Sequence, residues 1–484
     1  MPRAWPPDEV RRAVAEMQAA ARVPLLVAAD YERGAGRADF DRLTELPALM
    51  AFGAARDTLF AAAAGRLVAA ESRAVGVNWL FGPVVDVNRD PNNPIINTRA
   101  YGERADDVAV MARAFVREAE RGGLLTTLKH FPGHGDTSTD SHSRLALVDA
   151  PLATVEASDL LPYRALFASD AAPSAVMVAH VHTAALDPVR RAATVSPVVM
   201  GDLLRGRLGF AGLVVTDDLE MNALDDLGRD GRIVRPLLAG ADVALTLGSA
   251  SRAIAAVRAA VASGEMSEAD LAARTRRVLA AKAHIGLHHA AAPDDARWRA
   301  HGAGGAHALA DTVARRSATR LDTRADVLPL SGRVALVQIA NVRASGSLGR
   351  ALDAFRAELR PAIERRYDTV PTDAEVAALV ATAGQADVVV VALYQRLVSG
   401  RGFAGLKSGQ ERLVEALHRA GKPVVLVTMG NPYATADFSD VDATLVFYDT
   451  TLASVRAAGA VLRGASAPGR LPVTSGGYTV GSGR

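Results

Sequence analysis

The chain has 484 residues, of which 49% are hydrophobic, and this is enough apolar material to fill the cores of two domains. Its 55 Lys and Arg against 53 Asp and Glu leave a formal charge of +2 without long single-sign blocks, so nucleic-acid binding is not indicated. The absence of cysteine excludes disulfides, thiol nucleophiles and thiolate metal sites.

The sequence contains no segment that predicts a membrane span or an export signal. No apolar run approaches the ~20 residues that a spanning helix needs. Residues 1–8 lack the apolar stretch of a secretory signal. We therefore expect a soluble protein that is cytoplasmic as the sequence is written, whereas a longer natural N-terminus would allow export.

Short apolar strands alternate with helical stretches along the first 287 residues. The predicted strands lie near 23–29, 76–87, 124–130, 174–181, 212–218 and 243–248. Amphipathic helices lie between them, for example at 105–121 and 251–263. This alternation predicts parallel βα units.

Polar and reactive side chains follow these predicted strands. They are Asp30, Asp86, Asn88, Lys129, His130, His180, His182, Asp217 and Asp218. In a (β/α) barrel, the positions that follow strands converge on one face, where active sites are built. Their distribution favours a barrel over a doubly wound sheet.

A second set of strands indicates a smaller three-layer α/β sandwich domain. These strands lie at 333–340, 386–394, 423–429 and 443–448, separated by helices such as 408–420. The Ala/Gly-rich stretch before them, with a helix near 306–317, predicts an interdomain connection. We expect a barrel domain at 1–287, a connection with a helix at 288–332 and a C-terminal domain at 333–484. The C-terminal domain has no comparable carboxylate and histidine cluster, which predicts a structural role at the rim of a cleft.

The segment from Lys129 to His142 leaves the end of a predicted strand as a Gly/Pro-rich loop with three histidines and two aspartates. Such a loop is costly to order and carries groups that titrate near neutral pH, which is typical of chemistry rather than packing. The pair Asp217 and Asp218 ends the predicted strand at 212–216. Together the two segments supply an acid/base candidate and a nucleophile candidate.

Three other readings of these residues stay open. The histidines of the loop can cap turns at the surface, and the aspartate pair can be a helix N-cap. A divalent metal is the third alternative, because histidine and aspartate are both metal ligands. Its ligands would be His130, His134, His142, Asp136 and Asp140. Their spacing matches no common metal motif, so we predict neither a metal nor an organic cofactor.

Three segments together resemble glycoside hydrolase family 3, in its bacterial β-N-acetylglucosaminidase branch. They are Asn93–Glu103, Lys129–His142 and Val214–Met221. Further similarity runs through Pro24–Asp30, Gly240–Val243 and, more weakly, Gly430–Tyr433. The resemblance is strong to about residue 287 and looser beyond it.

The resemblance implies retaining hydrolysis through a covalent glycosyl-enzyme, with Asp217 as the nucleophile. It assigns the acid/base role to His142, oriented by Asp140. A histidine titrates near pH ~6.5 and can donate and then accept a proton, and a neighbouring carboxylate fixes its tautomer. At positions i and i+2, the two side chains would point the same way in an extended segment.

The resemblance also assigns the sugar-binding residues, which are Asp30, Arg99, Lys129 and His130. The family usually carries another arginine eight residues past the first aspartate, whereas here that position is Ala38 and Arg37 precedes it. The expected substrate is a terminal β-linked N-acetylglucosamine on a cell-wall-type or chitin-type glycan, removed by exo cleavage.

The fold implied by the resemblance is a (β/α)8-type TIM barrel that here lacks its first two βα units, since about 20 residues precede the strand at Pro24. Six strands do not close an eight-stranded barrel. Two other functions therefore stay open. A histidine acid adds no negative charge near the anomeric carbon, so phosphate could replace water in a phosphorylase. A protein that keeps the motif without turnover would be a sugar-binding or scaffold protein, and the oligomeric state stays open.

Overall fold

The computed structural model describes residues 5–36, 42–289, 292–293, 295–300, 307–323, 327–396, 408–419, 421–438 and 441–483. Across these ranges, no helix is both long enough and apolar enough to cross a membrane. Arg37 and Ala38, where this sequence departs from the family pattern, lie outside the described residues.

The first half of the chain alternates short strands with helices, as the sequence predicts. Its strands are β1 (Ala28–Ala29), β2 (Trp79–Leu80), β3 (Thr127–Phe131), β4 (Ala146–Val148), β5 (Ala175–Val178), β6 (Val181–Thr183) and β7 (Leu213–Thr216). Its helices are α1 (Pro7–Ala20), α2 (Leu49–Ala55), α3 (Thr58–Ala74), α4 (Ala105–Arg121), α5 (Leu152–Ala157), α6 (Leu161–Phe167), α7 (Gly228–Ala239), α8 (Ala250–Ala262) and α9 (Glu268–His284). Three-residue to six-residue 3₁₀ helices cover Asn97–Arg99, Ala193–Val195 and Asn222–Leu227, and a π-helix covers Val198–Arg207.

Six parallel segments follow one another around the barrel in chain order. β1 pairs with β2, and a bridge from Trp79 to Leu125 leads on towards β3. β3, β5 and β7 form a parallel sheet, and a bridge from Val215 to Val243 adds the sixth segment. Within the described ranges, no bridge joins Val243 to β1. The six parallel segments and their helices have the architecture of the predicted barrel domain.

The second half is built on one six-stranded sheet between two layers of helices. Its strands are β8 (Thr319–Thr323), β9 (Val334–Ala340), β10 (Ile363–Tyr367), β11 (Val388–Gln395), β12 (Val424–Gly430) and β13 (Ala443–Phe447). The helices of this half are α11 (His307–Ser317), α12 (Gly346–Leu359), α13 (Asp373–Ala383), α14 (Ser408–Arg419) and α15 (Leu452–Leu462), and a 3₁₀ helix covers Pro432–Asp437. The preceding helix α10 (Asp295–Ala300) packs against α3 of the barrel instead. The strand order is β10-β9-β11-β12-β13-β8, with β8 antiparallel to β13 and the other pairs parallel.

The central strands of this sheet are buried on both faces. β11 and β12 are buried along their whole length and are rich in valine, as expected of parallel strands covered by helices. The helices α12 and α15 pack on one face and α13 and α14 on the other. The predicted three-layer sandwich is therefore confirmed.

Two strands of this sheet were not predicted. β10 is an edge strand whose Glu364, Arg365 and Arg366 give it no hydrophobic alternation to recognise. β8 lies inside the expected connection 288–332, and its pairing with β13 makes residues 319–323 part of the second sheet, which corrects that part of the prediction. The boundary at 287 stays a prediction.

One hydrophobic core joins the outer helices of the barrel to the second domain. It includes Phe52 of α2, Phe115 of α4, Phe355 of α12 and Val455 of α15. Fully burying a side chain of this kind contributes about 1.5–3 kcal/mol. The shared core holds the second domain against the barrel and determines which of its residues reach the barrel face.

Candidate active site

A cleft of about 640 Å³ lies at the carboxyl ends of the barrel strands. Six of the seven predicted site residues line it, namely Asp30, Arg99, Lys129, His130, His142 and Asp217. The seventh, Asp140, is buried and hydrogen-bonded to His142. The structure therefore brings together side chains that are up to 187 positions apart in the sequence, from Asp30 to Asp217.

Asp217 directly follows β7 and is held by its own backbone neighbours. Its amide donates to the carbonyl oxygen of Val178 at 3.0 Å, and its Oδ1 accepts from the amide of Asp218 at 2.8 Å. Burial alone would raise the pKa of this carboxyl group. The charges of His130 and His180 are the largest opposing effects, so the pKa is lowered and Asp217 is ionised at neutral pH.

The neighbouring Asp218 has a local backbone role instead. Its Oδ1 accepts from the amide of Glu220 at 3.1 Å, which closes the turn after β7. Burial raises the pKa of Asp218, in contrast to Asp217. The helix N-cap considered for the pair is not formed, because the 3₁₀ helix that follows has Met221 at its N-cap position and no side-chain cap bond. Both aspartates line the cleft, and Asp218 also holds the turn.

The loop that carries His142 is packed tightly against the end of the neighbouring barrel unit. A Cβ added to Gly135 would lie 1.9 Å from the carbonyl oxygen of Val87, so no other residue fits there without a shift. Arg89 also holds the loop, with ion pairs to Asp136 at 3.1 Å and Asp159 at 2.9 Å. These contacts fix the path of the loop before Asp140 and His142, which lie at the cleft.

The predicted pair of Asp140 and His142 is present, but its geometry differs from the expectation. Asp140 Oδ1 accepts from the His142 amide at 2.9 Å and contacts His142 Nδ1 at 2.7 Å. The two residues lie in a turn closed by Ser143 N donating to Asp140 O, not in an extended segment. An aspartate commonly bonds the amide two residues on, and this local bond overrides the extended conformation.

This turn prepares His142 for proton transfer. Its side chain is 36% exposed while that of Asp140 is 3% exposed. The hydrogen bond to Asp140, together with the charges of Asp140 and Asp217, raises the pKa of His142 above its usual value. Because Asp140 engages Nδ1, exchange of a proton with a substrate falls to Nε2.

His130 and His134 are tied to protein groups rather than to each other. His130 Nδ1 lies 2.6 Å from Asp86 Oδ2, and Asp86 Oδ1 accepts from the His134 amide at 2.6 Å. The His134 ring contacts Thr137 Oγ1 at 2.6 Å and Ser141 Oγ at 3.0 Å. Burial lowers the pKa of His134 to about 4, so its ring is neutral.

The proposed metal alternative gains no support from this arrangement. Both ring nitrogens of His134 already have hydrogen-bond partners, and Asp136 pairs with Arg89. Among the described residues, no three His, Asp or Glu side chains form a group suited to a metal ion.

Lys129, Asp30 and Arg99 form one network with Glu32, a residue the sequence analysis missed. Lys129 Nζ lies 2.8 Å from Asp30 Oδ1 and 2.6 Å from Glu32 Oε1. Arg99 donates to Glu32 from Nε at 3.0 Å and from Nη2 at 2.8 Å, so two nitrogens of its guanidinium group bond one carboxylate. Burial alone would lower the pKa of Lys129, but the two carboxylates outweigh it and keep the amine charged. Asp30, 42% exposed, presents the open carboxylate of this network.

The second domain contributes more than its predicted structural role. Gln395, Gly430, Tyr448, Asp449 and Thr450 also line the cleft. Asp449 pairs with Arg33 at 2.9 Å and accepts from the amide of Ala48 at 2.7 Å. Tyr433 Oη accepts from Asn88 Nδ2 at 2.8 Å. These contacts span more than 340 positions in the sequence, so no local pattern could reveal them.

Signals for two of the missed residues were present in the sequence. Glu32 follows Asp30 at the spacing that places alternate side chains of an extended segment on one side. Asp86 was among the polar residues that follow strands, but nothing local indicated that it would bond His130.

Two family descriptions match the chain. "Glycosyl hydrolase family 3 N terminal domain" matches residues 8–281, and "Glycosyl hydrolase family 3 C-terminal domain" matches residues 240–479. Together they cover the barrel and the second domain.

Relatives of known name are similar over part of the chain. Beta-hexosaminidase A of Pseudoalteromonas piscicida is 35% identical over 246 residues, which is 48% of this chain and 41% of the relative. A protein named beta-N-acetylglucosaminidase/beta-glucosidase from Cellulomonas fimi is 34% identical over 334 residues, which is 66% of this chain and 58% of the relative. The matched region thus spans about half the length of these relatives.

Solved structures are similar over almost the whole chain. A glycoside hydrolase family 3 beta-N-acetylglucosaminidase from Paenibacillus sp. str. FPU-7 superposes with a TM-score of 0.83 at 31% identity, covering 98% of this chain and 91% of that protein. A beta-glucoside phosphorylase, BglX, superposes with a TM-score of 0.88 at 24% identity, covering 97% and 88%, and shows the common fold alone.

Proposed function

The chain belongs to glycoside hydrolase family 3, and from this premise we propose that it is a retaining exo-β-N-acetylglucosaminidase. The observation that carries the proposal is an ionised Asp217 in the same cleft as a histidine whose Nδ1 is held by a buried aspartate. The substrate would be a terminal β-linked N-acetylglucosamine on a cell-wall-type or chitin-type glycan.

In the first step, a carboxylate oxygen of Asp217 attacks the anomeric carbon. The bond from that carbon to the leaving oxygen breaks, and His142 Nε2 gives its proton to the departing oxygen. The product is a glycosyl ester on Asp217. The raised pKa of His142 supports this assignment, because the hydrogen bond to Asp140 favours the protonated ring that the first step needs.

In the second step, water attacks the same carbon and His142 Nε2 takes up the water's proton. Asp217 departs as a carboxylate, and two displacements give net retention of configuration. Asp140 keeps its bond to Nδ1 through both steps and stabilises the charged ring when it forms. No metal or organic cofactor enters this sequence.

The sugar would be held by the network of charged groups beside Asp217. Asp30 can accept from hydroxyl groups, and Lys129 can share its protons between Asp30, Glu32 and the sugar. His130 and Arg99 line the same wall of the cleft, with their Nε2 and Nη2 atoms 3.3 Å apart. An N-acetylated sugar is supported by the name beta-N-acetylglucosaminidase of the Cellulomonas fimi and Paenibacillus relatives, and the first of these names also includes beta-glucosidase.

One feature of the site favours phosphorolysis as a second candidate. The acid/base group is a histidine, so no fixed carboxylate at that position repels an anionic acceptor. Phosphate would attack the glycosyl-enzyme in place of water, and the product would be a sugar 1-phosphate.

Release of nitrophenol from a nitrophenyl β-N-acetylglucosaminide tests the proposal. The purified chain is assayed in chelator-treated buffer with and without phosphate, beside Asp217→Ala and the control Asp218→Asn. Turnover lost in the first variant alone supports the proposal, and sugar 1-phosphate as the product would select phosphorolysis. A folded wild-type chain without turnover would contradict both and favour a sugar-binding protein.

A further inference from the structure

His180 is a fully buried histidine that the mechanism above does not use. It follows β5, and its Nε2 lies 2.9 Å from the backbone carbonyl oxygen of Asp218. Its Nδ1 lies 2.6 Å from Thr194 Oγ1, and that hydroxyl lies 2.7 Å from the carbonyl oxygen of Ala179. The ring is thus fixed between the turn that carries Asp217 and the 3₁₀ helix at Ala193–Val195.

These contacts determine how many protons the ring carries. A carbonyl oxygen only accepts hydrogen bonds, so Nε2 must donate to Asp218. The single hydroxyl proton of Thr194 can go to the carbonyl oxygen of Ala179 at 2.7 Å, to that of Val178 at 3.3 Å or to Nδ1. With that proton on Ala179, the shortest of the carbonyl contacts, the hydroxyl accepts on its other side and Nδ1 donates as well. A neutral imidazole has one ring proton and would leave two lone pairs facing each other in a buried site.

The charged groups around the ring are mixed in sign. The carboxylates of Asp217 and Asp218 favour a cation, whereas burial and the charge of His142 oppose it and lower the pKa of His180. Lys129, another cation near Asp217, is already shared by two carboxylates, and His130 is held by Asp86. The hydrogen bonds decide the protonation state of His180 in this argument, because Nδ1 and Nε2 each have a partner at bonding distance.

We propose that His180 is a positioning residue that stays doubly protonated beside Asp217 and holds this side chain as a carboxylate. The chemical consequence rests on the proposed function. Asp217 is neutral as a glycosyl ester and must depart as an anion in the second step. The imidazolium stabilises that anion, so removing it slows breakdown of the ester more than its formation.

Variants of the two linked residues separate this role from a packing role. In His180→Gln, the acid limb of the kcat/KM profile, which reports ionisation of Asp217, is expected to move up by about one pH unit. On an activated aryl substrate, kcat and KM should fall together and a burst of nitrophenol should appear, because the ester accumulates. Thr194→Val removes the acceptor for Nδ1 and should shift the limb in the same direction. Thr194→Ser keeps the hydroxyl and should leave the profile unchanged.

The decisive experiment is a correlation NMR spectrum of the wild-type chain with ¹⁵N-labelled histidine. The signal of His180 is identified by its absence in His180→Gln or its displacement in Thr194→Val. We expect protons on both ring nitrogens at pH 7. A single ring proton would overturn the inference whether or not the chain turns over substrate. A doubly protonated ring in a chain without turnover would overturn the proposed function instead.

Discussion

The barrel face and the second sheet bury different kinds of side chain. Along the cleft, Lys129, Glu32, Asp86 and His130 are partly or fully desolvated and depend on one another for compensation. The second sheet instead buries two valine-rich strands, β11 and β12. Desolvated charge pairs seldom stabilise a fold as well as apolar residues of similar volume would. The contrast supports the proposal that the charges of the cleft serve chemistry, while the second domain helps to fix their positions.

The largest expected effect comes from removing the nucleophile candidate. Asp217→Asn should lower kcat by at least about 10³-fold, because no covalent ester can form. Its neighbour provides the matched control, since Asp218 also lines the cleft but bonds the Glu220 amide in the turn, and Asp218→Asn should keep activity within about tenfold. Steady-state assays on both folded variants measure the difference. Equal losses in the two variants would contradict the assignment of the pair.

Removing the acid/base candidate should lower turnover by an amount that depends on the leaving group of the substrate. His142→Ala is expected to lower turnover by about 10²–10⁴-fold on alkyl or sugar aglycones, which need protonation, and far less on nitrophenyl substrates. Equal losses on both substrate classes would exclude His142 as the acid.

The pH profile tests the contribution of Asp140 separately. The general acid must be protonated, and Asp140 raises the pKa of His142, so the wild-type chain should keep activity to a higher pH than Asp140→Asn. The alkaline limb of kcat/KM should therefore move down in that variant. An unchanged limb would show that another group governs it.

Burial of His134 should make stability depend on pH. Its pKa of about 4 in the folded chain lies below the unfolded value of about 6.5, so the unfolded state binds more protons between these values. Its contribution is complete above about pH 6.5 and is lost as the pH falls towards 4, by about 3 kcal/mol in total. His134→Gln should lack this part of the loss. Urea unfolding of both proteins at pH 7 and pH 5 measures it, and identical losses would contradict the buried neutral ring.

The smallest effect concerns the contact between the two domains. Tyr433→Phe removes the hydroxyl that accepts from Asn88, whose side chain also accepts from the Asn97 amide at the start of the turn carrying Arg99. We expect a loss of about 1 kcal/mol in stability and a few-fold rise in KM. Tyr394→Phe is the control, since its hydroxyl bonds Gln338 within the second sheet. A rise in KM with Tyr394→Phe as large as with Tyr433→Phe would show that the effect is not specific to the interface.

The sequence predicted what depends on local pattern and missed what depends on distant contacts. The resemblance of the segments at 129–142 and 214–221 to glycoside hydrolase family 3 indicated Asp217, His142 and Asp140, and the convergence of strand ends in a barrel predicted that they meet on one face. The edge strand β10 escaped prediction because it has no apolar alternation. The pairing of Arg33 with Asp449 joins residues more than 400 positions apart, so only the folded chain reveals it.

Trapping the proposed covalent ester between Asp217 and the sugar would identify the nucleophile. A fluorinated N-acetylglucosaminyl fluoride, in which the ring fluorine slows breakdown of the intermediate, is incubated with the wild-type chain and with Asp218→Asn, followed by peptide mass spectrometry. We expect one added sugar on the peptide that contains Asp217 in both proteins, and none in Asp217→Asn. A sugar attached to another residue, or turnover with inverted configuration and no adduct, would contradict it.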